Sequence, residues 1–83
     1  MTNLEHIESL SRHGAQIRTP DGLKKLDGAF YQNAIDACTQ AGANALCYEL
    51  VLPGIEDEMM LAIHRDGHVD SGSKESVLAC LDR

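Results

Sequence analysis

The chain has 83 residues, 43% of them hydrophobic and 24% charged, proportions of a globular protein rather than a disordered one. Thirteen acidic residues against seven basic ones give a net charge of -6. The basic footprint that phosphate neutralisation demands is absent, so direct nucleic-acid binding is not expected.

One domain, 1–83, is expected at this length, burying roughly 60% of its unfolded surface. Its core must be aliphatic, since the aromatic residues are one phenylalanine, two tyrosines and no tryptophan. Cys38, Cys47 and Cys80 are odd in number and widely spaced, which suits neither a disulfide framework nor a zinc site; they are expected as small buried thiols. No apolar run reaches the ~18 residues of a membrane span, and Met1 to His6 lack the pattern of a leader. A cytoplasmic protein away from membranes is expected.

Thr2-x-x-Glu5 has capping-box spacing, and Leu4, Ile7 and Leu10 recur at helical intervals. This predicts a helix over 3–13, stopped at Gly14. Thr19-Pro20-Asp21 reads as a second helix start, with a threonine cap, a proline in the first turn and an acid at the positive end of the dipole. Leu23 and Leu26 form its inward edge. Asp27-Gly28 then interrupts and re-caps a longer helix, Ala29 to Ala41. On it Tyr31, Ile35 and Cys38 make one apolar ridge and Phe30, Ala34, Ala37 and Ala41 the next. Gly42 ends it.

The apolar run Leu46 to Leu52 and the run Met59 to Ile63 have strand length and are separated by Pro53-Gly54-Ile55-Glu56-Asp57. They predict an antiparallel hairpin, with Asp66-Gly67 turning into a short third strand around Val69. Leu46, Tyr48, Leu50 and Leu52 share the face expected to meet the core. Cys47, Glu49, Val51 and Met60 share the other, which is too apolar for an open face and calls for a cover. Ser73 caps a last helix whose Val77, Leu78 and Leu81 face inward, with Arg83 at its negative end. The expected fold is therefore α+β: two N-terminal helices, a hairpin of two or three strands, and a C-terminal helix.

His64, His68 and Asp70 are the densest set of metal-ligating types. A two-residue turn at Asp66-Gly67 would set His64 opposite Val69 and Arg65 opposite His68, sending the two imidazoles to opposite faces. Three ligands then fail to converge, and the segment reads as a hydrophilic hairpin tip. A Cys–His nucleophile made of Cys47 or Cys80 with His64 lacks any supporting motif. No catalytic residue, cofactor or metal is expected. His6 and His13 stand two helical turns apart and read as solvated.

Glu49 with Glu56, Asp57 and Glu58 form the densest acidic patch, with Val51 and Met60 as an apolar centre beside it. Complementary charge of this kind mainly accelerates encounter with a basic partner. In size, charge and lack of catalytic motifs the chain is similar to the short acidic proteins that phages and mobile elements make against host machinery, such as anti-CRISPR or antirestriction proteins. That similarity implies a non-enzymatic inhibitor or regulator of a larger protein complex, one that handles nucleic acid. The partner-binding residues would be Glu49, Val51, Glu56, Asp57, Glu58 and Met60, facing a basic protein surface. Two alternatives stand beside it: a small metal-binding or hydrolytic enzyme using His64, His68 and Asp70, and a structural protomer that pairs, as a homodimer, through its second sheet face.

Overall fold

The computed structural model describes the backbone of residues 2–81 and the side chains of residues 2–79. The inward placement expected of Leu81, the thiol of Cys80 and the end charge of Arg83 fall outside that range. Eight elements follow one another: α1 (Asn3–Arg12), β1 (Gln16–Thr19), β2 (Gly22–Lys25), α2 (Gly28–Ala41), β3 (Ala45–Val51), β4 (Met59–His64), β5 (Val69–Ser73) and α3 (Lys74–Leu81). The fold is α+β, with one antiparallel five-stranded sheet in the order β2-β1-β3-β4-β5.

The first helix forms as its capping box dictates, with the Thr2 hydroxyl accepting from the Glu5 amide at 3.1 Å. Ile7 is fully buried and Leu10 half-buried, while Leu4 stays largely exposed. The helical start expected at Thr19-Pro20-Asp21 does not form, and the second helix, α2, lies between strands. Thr19-Pro20-Asp21-Gly22 is instead a tight hairpin turn, with Thr19 paired to Gly22 and the Thr19 hydroxyl donating to the Gly22 carbonyl at 2.8 Å. Proline presets the turn's first corner, and Gly22 accepts a φ of 114° that a side chain would resist. Pro-Asp-Gly is turn chemistry as much as helix-start chemistry. Here the alternating flank Gln16-Ile17-Arg18 decides, because only a strand sends Ile17 inward between two exposed polar neighbours. Leu23, expected inward, lies exposed on edge strand β2, whereas Leu26 is fully buried just beyond it.

Asp27 caps α2, its carboxylate accepting from the Phe30 amide at 2.8 Å, and Gly42 ends the helix in the left-handed region at φ 67°. Ala34 and Cys38 are the buried positions of the expected stripe. Ile7, Ala15, Ile17, Leu26, Ala34, Leu50, Leu61, Ile63 and Val69 make one continuous core between α1, α2 and the first face of the sheet. Leu50 and Tyr48 do face that core, as the hairpin pattern requires.

The second sheet face is closed on one side only. Ala62 points to it yet is fully buried, and Val77 of α3 is buried outside the main cluster; α3 packs on β4 and β5 and supplies this cover. Leu78, expected inward, is 40% exposed. Among the described residues no helix is long and apolar enough to cross a membrane.

Candidate functional site

Strand parity gathers Arg18, Cys47, Glu49, Val51, Met60, Ala62, His64 and Asp70 onto the second face. On the β1–β3 side of this face Arg18, Cys47 and Glu49 are exposed and Val51 half-buried, and Met60 on β4 is also half-buried. The expected acidic patch is partly neutralised. The Arg18 guanidinium lies 3.1 Å from the Glu49 carboxylate across the β1–β3 seam, and Lys74 at the start of α3 lies 3.9 Å from Glu58. Glu56 and Asp57 are exposed in the β3–β4 loop and, among the described residues, have no such partner. Three of the six residues singled out from sequence, Glu49, Glu58 and Met60, line a shallow groove of about 160 Å³ with Met59 and Lys74. A second groove that shares Glu49, Glu58 and Met59 is bordered by Val51, Glu56 and Asp57.

Cys47, expected to be buried, is exposed on this face, because strand alternation puts it opposite to Leu46 and Tyr48. Partial burial still pushes its thiol up from the ordinary value, which favours the protonated, unreactive form. Cys38 is buried, its thiol directed at the Ile63 carbonyl at 3.4 Å.

The imidazoles do not diverge. The β4–β5 connection is a three-residue loop, Arg65-Asp66-Gly67, and not the two-residue turn expected. The His64 amide donates to the His68 carbonyl at 2.8 Å and the Gly67 amide to the His64 carbonyl at 2.9 Å. That one extra residue shifts the register so that His64 opposes His68, and a shift of one reverses the face of every side chain in the strand. Gly67, at φ 97°, is the left-handed residue a three-residue hairpin loop requires.

His64, His68 and Asp70 consequently meet on one face. Each presents a ligating atom within 4.8 Å of the other two. His64 Nε2 lies 2.8 Å from one Asp70 carboxylate oxygen and His68 Nε2 lies 3.2 Å from the other, with ring centroids 5.1 Å apart. Burial pushes the Asp70 carboxyl up, but hydrogen bonds and charge from the two histidines together outweigh it and hold the group below its ordinary value. The expectation that no three ligands converge is therefore corrected, and its cause is a loop length that Asp-Gly alone leaves ambiguous.

The loop is fastened from several sides. The Asp66 carboxylate accepts from the His68 amide at 2.9 Å, and the Arg65 amide donates to the Asn44 carbonyl at 2.9 Å. The Tyr31 hydroxyl donates to the Gly67 carbonyl. Burial, and then the charge of Asp66, push the Tyr31 phenol up, so it keeps the proton it donates. His6, expected to be solvated, lies with its Nε2 2.8 Å from the Ser71 hydroxyl on the opposite side of the sheet.

Compared with protein-family models, curated proteins and solved structures, the chain matches none.

Proposed function

We propose that this chain is a non-enzymatic interaction protein that regulates or inhibits a larger protein by docking its second sheet face and the β3–β4 loop against a basic surface. One observation supports the reading above the others: α3 packs on β4 and β5 and leaves the β1–β3 side of that face open, so that Val51, and Met60 at the edge of that cover, stay half-buried among exposed charges. Such a mixture of an apolar centre and a charged rim is the anatomy of a non-obligate interface. Glu56 and Asp57 on the rim supply negative charge to steer a basic partner, while Glu49 and Glu58 are tied to Arg18 and Lys74. The loop is anchored at both ends by strands of the core sheet, which keeps the ordering cost of binding low.

The test compares the wild-type chain with a variant carrying Glu56→Lys, Asp57→Lys and Glu58→Lys. Each is used to capture partners from cells that make the protein, and association rates with the captured protein are then measured at low and high salt. The variant should melt like the wild type but associate more slowly, with the gap closing as salt screens the charges. Equal rates at low salt would remove this surface from the interface. A wild-type chain that sediments as a dimer, and stops doing so with Val51→Asp, would favour a homodimer through the same face.

A further inference from the structure

We propose that His64, His68 and Asp70 form a binding site for one divalent transition-metal ion of the zinc class, open to water, at the tip of the β4–β5 hairpin. Two imidazole nitrogens and one carboxylate oxygen are the donor set that zinc and its first-row neighbours accept in sites retaining solvent-filled positions. All three donor atoms already lie within 4.8 Å of one another.

Ligands about 2.0–2.1 Å from a tetrahedral ion stand roughly 3.3 Å from each other. The His64 and His68 Nε2 atoms lie 2.8 and 3.2 Å from the two different Asp70 carboxylate oxygens, and a set taking one atom from each residue lies within 4.8 Å, somewhat wider than that spacing. Entry of the ion needs the donor atoms to close from within 4.8 Å to that spacing around one carboxylate oxygen. The His68 side chain is 57% exposed and is free to make the larger part of that adjustment. Each imidazole now donates its Nε2–H to the carboxylate; with the ring proton carried on Nδ1 instead, the Nε2 lone pair is free for the ion, which replaces the two hydrogen bonds by bonds to the same atoms.

The backbone holds this arrangement before any ion arrives. His64 and His68 are a directly hydrogen-bonded cross-strand pair, and Asp70 follows His68 by two residues, hence on the same face. The loop between them is tied down by Asp66, Asn44 and Tyr31. Rigid strand positions supported by outer hydrogen bonds are the usual way a metal site is oriented. Among the described residues no other group of three such side chains converges in this way.

The experiment titrates the full chain with zinc chloride by calorimetry and with cobalt chloride by visible absorption. One zinc ion per chain should bind, with saturation and a rise in melting temperature. His68→Ala and Asp70→Asn should each weaken binding by more than about tenfold, since each removes a ligand. His13→Ala, which alters an exposed imidazole at the C-cap of α1 beside Pro53, should change nothing. The cobalt complex should show d–d bands without sulfur-to-metal charge transfer. Zinc binding that is equal in His68→Ala, Asp70→Asn and wild type would overturn the proposal, as would a thiolate band or no saturable binding. His68 is the safest of the three to remove because it is mainly in solvent, so loss of binding there with an unchanged apo melt separates ligation from folding.

Discussion

The hydroxyl of Tyr31 donates to the carbonyl of Gly67, 36 positions further along, and so pins α2 to the loop that sets His64 opposite His68. The contact leaves little space: a β-carbon on Gly67 would stand 3.2 Å from that hydroxyl, at a φ of 97° that L residues avoid. Tyr31→Phe should destabilise the chain by about 0.5–1.5 kcal/mol, the worth of one such bond. If the loop orients the histidines, it should also weaken zinc binding although every ligand remains. Calorimetry and a thermal melt on the same sample separate the two effects. Gly67→Ala should cost about 1–2 kcal/mol from the backbone conformation, with the crowding at Tyr31 added to it.

Leu50 is 3% exposed and pairs across the sheet with fully buried Ile17. Leu50→Ala should lose about 2–5 kcal/mol. Against a typical total of about 5–15 kcal/mol, that is enough to bring the chain near unfolding at 37 °C. A urea midpoint close to wild type would mean that the face assignment of β3 is wrong.

Acid should find the Asp70 clasp. Its carboxyl titrates below its ordinary value of 3.8 in the folded chain, so it adds stability that is present above that value and lost as pH falls through the lowered one. Asp70→Asn should therefore lie below wild type in denaturant midpoint at pH 5, and the two curves should draw together toward pH 2. Curves that stay parallel over that range would show that the histidines do not stabilise the carboxylate.

Thiol chemistry should distinguish two cysteines. Cys47 is exposed and Cys38 buried, so iodoacetamide should label the peptide carrying Cys47 in the native chain and the one carrying Cys38 only on unfolding. Because burial raises the Cys47 thiol, its labelling at neutral pH should be slower than that of a free cysteine and should quicken as pH rises. Native labelling of Cys38 would contradict its position against the Ile63 carbonyl.

Where the sequence was legible, strong local signals agreed with each other. Thr2 and Asp27 cap their helices, Gly42 ends α2, and the two long apolar runs pair as β3 and β4. It misled where one short signal served two structures. Thr19-Pro20-Asp21-Gly22 satisfies both a helix start and a hairpin turn, and the alternating flank Gln16-Ile17-Arg18 is what discriminates. Asp66-Gly67 similarly fits a two-residue turn or the end of a three-residue loop, and the choice decides whether His64 and His68 meet. Nothing in the composition resolves that; the hydrogen bonds to Asn44 and Tyr31, distant in the chain, do. Neutralisation of Glu49 by Arg18 is equally hidden, because it depends on the pairing of the four-residue strand β1 with β3, distant in the chain.

The order β2-β1-β3-β4-β5 joins a hairpin to a three-stranded meander along a single seam, in which Gln16, Ile17 and Arg18 pair with Val51, Leu50 and Glu49. Ile17 and Leu50 are 33 positions apart, with α2 in between, whereas every other strand pairing joins neighbours in the chain. This is the longest closure among the strand pairings, and its entropic cost grows only with the logarithm of length. The two halves can each assemble locally and then dock, which makes the seam a late event on the folding route. Damage at Ile17 should consequently speed unfolding more than it slows refolding, and damage at Leu61, inside the meander, should do the reverse. Stopped-flow chevrons of Ile17→Val and Leu61→Ala would show whether the chain is built in that sequence.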